Sequence, residues 1–454
     1  MDDDIVNCRR NSNYGQDFIT DIAENVSLST PPEVAEILNI SVRAEEFDNL
    51  YCIILTPANT PSMATESHAI VFGAAGLLGW ATLNQLLSGY PSSSPFTRVT
   101  AVLNRPVAES DLCLPSGPNS PSFGLVLGIN LLQTNTDDLA KQLKEKVPGA
   151  EGITHVFYFV FAPFNDDHIQ ECTQNCGMMQ RLAGALNIVA PRLRSFVYSG
   201  GSRGYGIYNP SGVFQPPLEE SMADGLPEDY AKTVAYPWFR KILTEASKDR
   251  NWTWSEVCPD AVVGFSPNGS AYSLALHWAQ YLSLYAYNHR GVTDKEIDVP
   301  FPGSEAGYRS LYTPVSSEIL GRIAIHAALH PDSCGRKIIN MLDNDTPVSA
   351  SDLWPGIAAW FGLKGVGPAK DDILKPSEYV DKYRHLFAQN GVPKGLTCGV
   401  GQGKKQLDSV GWWLTFDRQF SSKRLRSMGF TEQRDPVDGW LEAFERFRAA
   451  GIIF

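Results

Sequence analysis

From His68 onward, short apolar runs alternate with longer stretches whose apolar positions recur at helical spacing. The apolar runs cover residues 69–72, 99–103, 123–127, 155–161 and 195–199. The first ends at glycines, and a helical pattern over 77–87 follows it directly. Further helical stretches cover 136–146 and 168–189. Alternation of this kind predicts an α/β fold, a doubly wound parallel sheet of Rossmann type. After Pro259 the pattern loosens, and predicted helices at 273–287 and 316–329 mix with loops. That half reads as a mainly helical substrate-binding lobe. Three parts follow: an extension over 1–67, a Rossmann domain over 68–265, and the lobe over 266–454, partly interleaved with the Rossmann domain.

The extension carries weaker signals. Residues 31–38 read as a short helix, with Thr30 as N-cap and Pro31 at its first position. Residues 51–55 read as a strand or docking segment, and 56–67 as a polar, Pro-bearing linker. A dimer arm and a lid over the pocket are both open roles for it.

Composition narrows the function classes. The 454 residues exceed what one compact core usually holds, and 43% are hydrophobic against 19% charged. The net charge of -12 repels phosphate backbones and argues against nucleic acid. No apolar window is long enough to span a membrane. The start, Met1-Asp2-Asp3-Asp4, lacks the basic and apolar regions of a signal peptide. The eight cysteines (Cys8, Cys52, Cys113, Cys172, Cys176, Cys258, Cys334 and Cys398) form no CxxC pair. They read as reduced thiols of a cytoplasmic protein. Cys172 and Cys176 lie one helical turn apart without a companion pair, so no metal site is predicted.

The chemistry begins at Gly73-Ala74-Ala75-Gly76-Leu77-Leu78-Gly79, between the first apolar run and the first helix. In that context Gly73 permits the tight turn, Gly76 admits a pyrophosphate, and Gly79 lets the helix pack on the sheet. The free N–H groups of the helix start, around Ala75, Leu77 and Leu78, then face the phosphates. The second run leads into Asn104-Arg105-Pro106 and carries no carboxylate for a ribose 2′-hydroxyl. Arg105 can pair with a 2′-phosphate, which points to NADPH. Asn130 follows the third run, where an adenine contact is common, and Phe159 stands with these cofactor-binding residues.

Further segments resemble the progesterone 5β-reductase/iridoid synthase-like family of extended, atypical short-chain dehydrogenases/reductases. They are Thr154-His155-Val156-Phe157-Tyr158, Cys172-Thr173-Gln174-Asn175-Cys176-Gly177-Met178, Thr253-Trp254-Ser255 and Val263-Gly264-Phe265-Ser266-Pro267. Phe301-Pro302-Gly303, Trp412-Trp413 and Met428-Gly429-Phe430 continue the likeness, which covers residues 68–454. The resemblance implies NADPH-dependent reduction of the activated C=C bond of an enone or enal. It also implies a catalytic Tyr, supported by a Lys, that donates to the carbonyl oxygen. Tyr236 in Val234-Ala235-Tyr236-Pro237-Trp238 matches the family tyrosine; Tyr230, near Lys232, is the rival. At the Lys position stands Arg203 if the alignment is anchored on Tyr205, or Ser202 if it is anchored on Ser199-Gly200. Arginine can hold a ribose and favour a tyrosinate, but it does not shuttle a proton. Phe161 replaces a tryptophan that lines the family pocket, and Cys258 replaces an arginine. Phe161, Tyr205 and Trp238 are the predicted substrate contacts.

Other constellations read as structural. His326 and His330 share a helix face but lack a third ligand. Asp166-Asp167-His168 reads as a solvated loop near the pocket mouth. Gly200-Gly201-Ser202-Arg203-Gly204 has the spacing of a nucleophile elbow, yet no helical pattern follows. The leading expectation is therefore an NADPH-dependent reductase of an apolar terpenoid, steroid-like or polyketide metabolite, and it leaves room for a homodimer. The second is a cyclase, isomerase or dehydratase on the same fold, with NADP(H) structural or absent. A nucleotide-sensing regulator is the third.

Overall fold

The computed structural model describes residues 66–454 apart from 119, 165–166, 271, 292–295, 371–372 and 398–408. The extension's predicted helix and strand, Cys8, Cys52, Cys398 and Asp166 lie outside the described residues.

Seven parallel strands form the central sheet in the order β3-β2-β1-β4-β5-β6-β7. They are β1 (Ser67–Phe72), β2 (Phe96–Leu103), β3 (Ser122–Leu127), β4 (Ile153–Tyr158), β5 (Ser195–Ser199), β6 (Thr253–Pro259) and β7 (Lys337–Met341). Strand order reverses between β1 and β4, which opens a crevice at their carboxyl ends. β1 starts at Ser67, inside the stretch read as extension. The apolar run read as a strand to Phe161 stops pairing at Tyr158. Phe159 still donates to the Phe72 carbonyl, but β1 then turns away at Gly73 (φ +76°) and offers nothing further to pair with.

The period of two divides each strand between two cores. Ala69 and Val71 face one layer while Ile70 and Phe72 face the other. The first layer holds α1 (Leu77–Leu87) and α6 (Ser317–Leu329). The second holds α2 (Thr136–Lys146), α3 (His168–Val189) and α4 (Tyr236–Ala246). Both faces are thus covered, which is why the strands read as unbroken apolar runs.

The lobe has its own aromatic core around α5 (Leu274–His289), α7 (Ala350–Trp360) and α8 (Pro436–Ala449). Trp278 stacks on Trp440 at 4.8 Å and meets Trp354 edge-on at 5.2 Å. Such pairs contribute about 0.5–1.5 kcal/mol each beyond area burial. Two strands beyond the five apolar runs were not foreseen: β6, and β7, which with α6 returns to the Rossmann layer from within the stretch assigned to the lobe. No described helix is long and apolar enough to cross a membrane.

Candidate active site

The glycine turn builds the first part of the site. Gly73 donates to the Val102 carbonyl, and Gly76 donates back to the Gly73 carbonyl at 2.9 Å. A Cβ on Gly73 would lie 2.6 Å from the Phe159 carbonyl oxygen, and one on Gly79 2.2 Å from the Gly73 carbonyl oxygen. The ends of β1 and β4 therefore approach as closely as backbone allows. Helix α1 begins behind this turn with no side-chain cap and no acidic residue in its first turn. Its first N–H groups, at Leu77, Leu78 and Gly79, remain for an anion. Ala75 and Leu77 are buried in the turn, Leu78 is half-buried, and Gly76 is exposed.

The ends of β2 and β3 complete this side. Asn104 and Arg105 are exposed, and Arg105 makes no hydrogen bond or ion pair among the described residues. Asn130 is committed to its own turn: Oδ1 accepts from Leu132 N–H and Nδ2 donates to Gln133. The glycine cradle could hold the diphosphate of a dinucleotide, and the Arg105 guanidinium stands uncommitted beside it.

Beyond β4 the chain passes through half-buried Phe159 and Phe161. Buried Asn175 on α3 pins it there, exchanging hydrogen bonds with both backbone groups of Ala162 at 2.9 and 3.0 Å. Beyond β5, Ser202–Tyr205 form a short 3₁₀ turn. No α-helix follows, so the nucleophile-elbow spacing lacks the geometry of an elbow. Tyr236 starts α4 and packs on that turn. A Cβ on Gly201 would lie 3.1 Å from Tyr236 Oη, and one on Gly204 3.2 Å from its ring. The Tyr236 hydroxyl has no hydrogen-bond partner among the described residues. Burial raises its pKa well above the usual tyrosine range, and the nearby Arg203 charge pulls in the opposite direction.

Arg203 does lie beside Tyr236, but each of its terminal nitrogens is engaged. Nη1 donates to Glu171 Oε1 at 2.5 Å, and Nη2 donates to the Thr233 carbonyl at 2.8 Å. Its guanidinium sits 5.3 Å from the centre of the Tyr208 ring. Tyr208 meets Trp413 edge-on at 5.5 Å. Tyr208 and Tyr272 are 41% and 50% exposed, so their rings are free to wall an apolar ligand. Sequence reasoning missed Glu171, Tyr208 and Tyr272. Cys258 is buried at the end of β6, where burial and then Glu256 push its thiol above the ordinary range.

The structure corrects the expectation for Tyr205. It is 1% exposed, its hydroxyl meets Asn340 Oδ1 at 2.6 Å, and its ring packs on Phe420. The 3₁₀ turn directs it into the sheet–α6 layer, not the cleft. Trp238 is half-buried on α4, with Lys241 4.5 Å above its ring. Tyr230, the rival, is pushed up to about 12, mainly by burial. Of the loop residues Asp167 and His168, Asp167 caps α3 through Gln170 N–H, while His168 lies 3.8 Å from Glu171. His326 Nε2 lies 3.0 Å from the Met428 carbonyl. Cys172 and Cys176 are buried in the α3 layer.

Known proteins agree with this architecture. The chain is 32% identical to the short chain dehydrogenase sirQ of Leptosphaeria maculans, over 85% of this chain and 97% of the relative. It is 22% identical to the (S)-8-oxocitronellyl enol synthase ISY2 of Nepeta cataria, over 85% and 91% respectively. The crystal structure of vestitone reductase from alfalfa superposes with a TM-score of 0.51 at 14% identity, covering 86% of this chain and all of that one (100%). Residues 69–454 match the model of a PRISE-like Rossmann-fold domain, and the chain belongs to that family.

Proposed function

We propose that the protein is an NADPH-dependent reductase of the activated C=C bond of an enone or enal in an apolar small molecule. The observation that carries this reading is the placement of Tyr236. Its hydroxyl lies over Gly201 with no partner, at the same carboxyl edge of the sheet as the Gly73 turn. Gly73, Gly76 and Gly79 would admit the diphosphate, Arg105 the 2′-phosphate, and Phe159 would border the cofactor. Bound NADPH would supply the hydride. Tyr236 would donate to the carbonyl oxygen as enolate charge grows there, a stabilisation realised mainly in the transition state. Phe161, Tyr208, Tyr272 and Trp413 would exclude water and orient an apolar skeleton. Relatives named short chain dehydrogenase and enol synthase support the class of reaction.

A second reading, a cyclase or isomerase with the cofactor idle, draws on Arg203. Both of its nitrogen termini are tied to protein acceptors, so it is not offered to a ribose. The two readings separate in one assay. Purified protein is mixed with NADPH and a panel of neutral enones and enals, and reduced nicotinamide is followed by absorbance. Stoichiometric NADPH loss with saturated product supports the reductase. NADPH binding without consumption, alongside rearrangement of a substrate, favours the second reading. Absence of dinucleotide binding overturns the first.

A further inference from the structure

Three carboxylate–guanidinium pairs lie beneath the cleft. Glu171 on α3 meets Arg203 at 2.5 Å, Glu256 on β6 meets Arg240 at 2.9 Å, and Asp260 meets Arg418 at 3.0 Å. The three carboxylate side chains are 7%, 2% and 3% exposed. Only the first pair includes the cation that the resemblance sets beside the catalytic tyrosine. An unpaired guanidinium next to a phenol stabilises the phenolate, and a carboxylate bound to that guanidinium cancels the effect.

We propose that Glu171 is a positioning residue: by pairing with Arg203 it fixes the guanidinium and offsets most of its pull on Tyr236, so that Tyr236, which its surroundings already favour as the phenol, keeps its proton. The site then offers a neutral donor to a carbonyl oxygen instead of a base for an alcohol. This rests on the reading of Tyr236 as that donor. Nothing in the turn itself requires the pair, because Arg203 is already held by the Thr233 carbonyl and lies over the Tyr208 ring. Glu171 is held in turn by the Phe164 amide at 3.4 Å, with His168 Nδ1 3.8 Å away.

The other groups around Tyr236 leave this balance intact. From β6, Glu256 is matched by Arg240 of α4 and also accepts the Tyr198 hydroxyl at 2.8 Å. Cys258 on the same strand is held as a thiol by burial. From α3, Cys172 shares the buried layer, and His168 faces Glu171. Tyr208 and Tyr230 line the loops on the remaining sides, and Tyr230 is itself pushed up to about 12. Asp260, beyond β6, is matched by Arg418. Removing the Glu171 charge therefore leaves Arg203 as the one unmatched ion among these groups.

The test is an alkaline ultraviolet titration, which needs neither substrate nor cofactor. Each protein is compared with its own Tyr236→Phe derivative, so the difference isolates Tyr236. The parent shows no tyrosinate step below the pH at which circular dichroism reports unfolding. Glu171→Gln gains one step, of one tyrosinate per chain, and Glu171→Gln/Arg203→Gln loses it again. A folded Glu171→Gln without the step overturns the proposal, and so does a step that persists in the double variant. If Glu171→Gln does not hold its fold, Glu171→Ala replaces it: its step must disappear on adding acetate, and a step indifferent to acetate overturns the proposal. NADPH turnover, measured separately, reports on Tyr236 as the donor. A reductase that is inactive in Tyr236→Phe but lacks the titration step retains the functional reading and loses this one.

Discussion

The carbonyl oxygen of Gly73 lies where a methyl group on Gly79 would go, 2.2 Å from an ideal Cβ. Helix α1 therefore reaches the sheet through two glycines in backbone contact. Gly79→Ala must push the helix start away from the turn. We expect it to cost about 1–3 kcal/mol of stability by overpacking. NADPH affinity should fall about tenfold or more, since about 1.4 kcal/mol of misfit is a factor of ten. Thermal melting and fluorescence titration with NADPH check both. Unchanged NADPH affinity in a folded Gly79→Ala would show that the turn is not the phosphate cradle.

Arg105 is exposed and uncommitted at the end of β2, so its loss should matter only to a ligand that needs it. Arg105→Gln removes a charge-assisted contact worth about 1.5–3 kcal/mol. NADPH binding should weaken by about 10- to 150-fold, and NADH binding by far less. Equal losses for the two dinucleotides would place the 2′-phosphate elsewhere.

Tyr236→Phe keeps the ring that packs on Gly201 and Gly204 and deletes only the unpartnered hydroxyl. Melting temperature and NADPH affinity should stay as they are. Turnover of an accepted enone should fall about 10²–10³-fold, the usual loss for a removed oxyanion donor. A variant with full kcat would assign the donor to another group, with Tyr230 the first to examine.

Acid should destabilise the fold through histidines that burial keeps neutral. His68, His155 and His277 are each lowered to about 4, with burial the largest cause. In the unfolded chain they take up protons near 6.5, so between 6.5 and 4 the unfolded state binds more protons. Stability is then lost as pH falls through that window. Neither ring nitrogen of His277 has a partner in its apolar surroundings. His277→Leu should stabilise the protein by about 1–3 kcal/mol, with the larger gain at the acid end. Urea midpoints at pH 7 and pH 5 decide it: an equal gain at both would mean that His277 does not titrate in this window.

The parts of this molecule written in neighbouring residues were readable in advance. The β1–turn–α1 unit is one such part, because its glycine spacing and its period of two lie within a dozen positions. Tyr236 was reached through the family resemblance, and its packing on the 3₁₀ turn then put its hydroxyl at the sheet edge. Glu171 was not reached. A single carboxylate on a polar helix turn normally faces water, and its partner Arg203 lies 32 positions away. Tyr205 was misplaced for a related reason: a turn's residue order does not say which layer each side chain enters. β6 and β7 both escaped notice; for β7 the reason is that only its pairing with β6 makes the run 337–341 a strand.

That pairing bears on how the protein emerges from the ribosome. β6 is an inner strand of the finished sheet, yet its outer neighbour is made some eighty residues later. Until then a buried, apolar strand stands as an open edge, the kind of surface that recruits other strands. A nascent chain that pauses within the lobe would expose this edge, and a gene fragment cut at the nominal domain boundary near 265 would keep it exposed. The Rossmann half is thus completed by the lobe's own sequence, and the chain is best expressed, swapped or grafted through residue 341 and beyond as one cooperative unit.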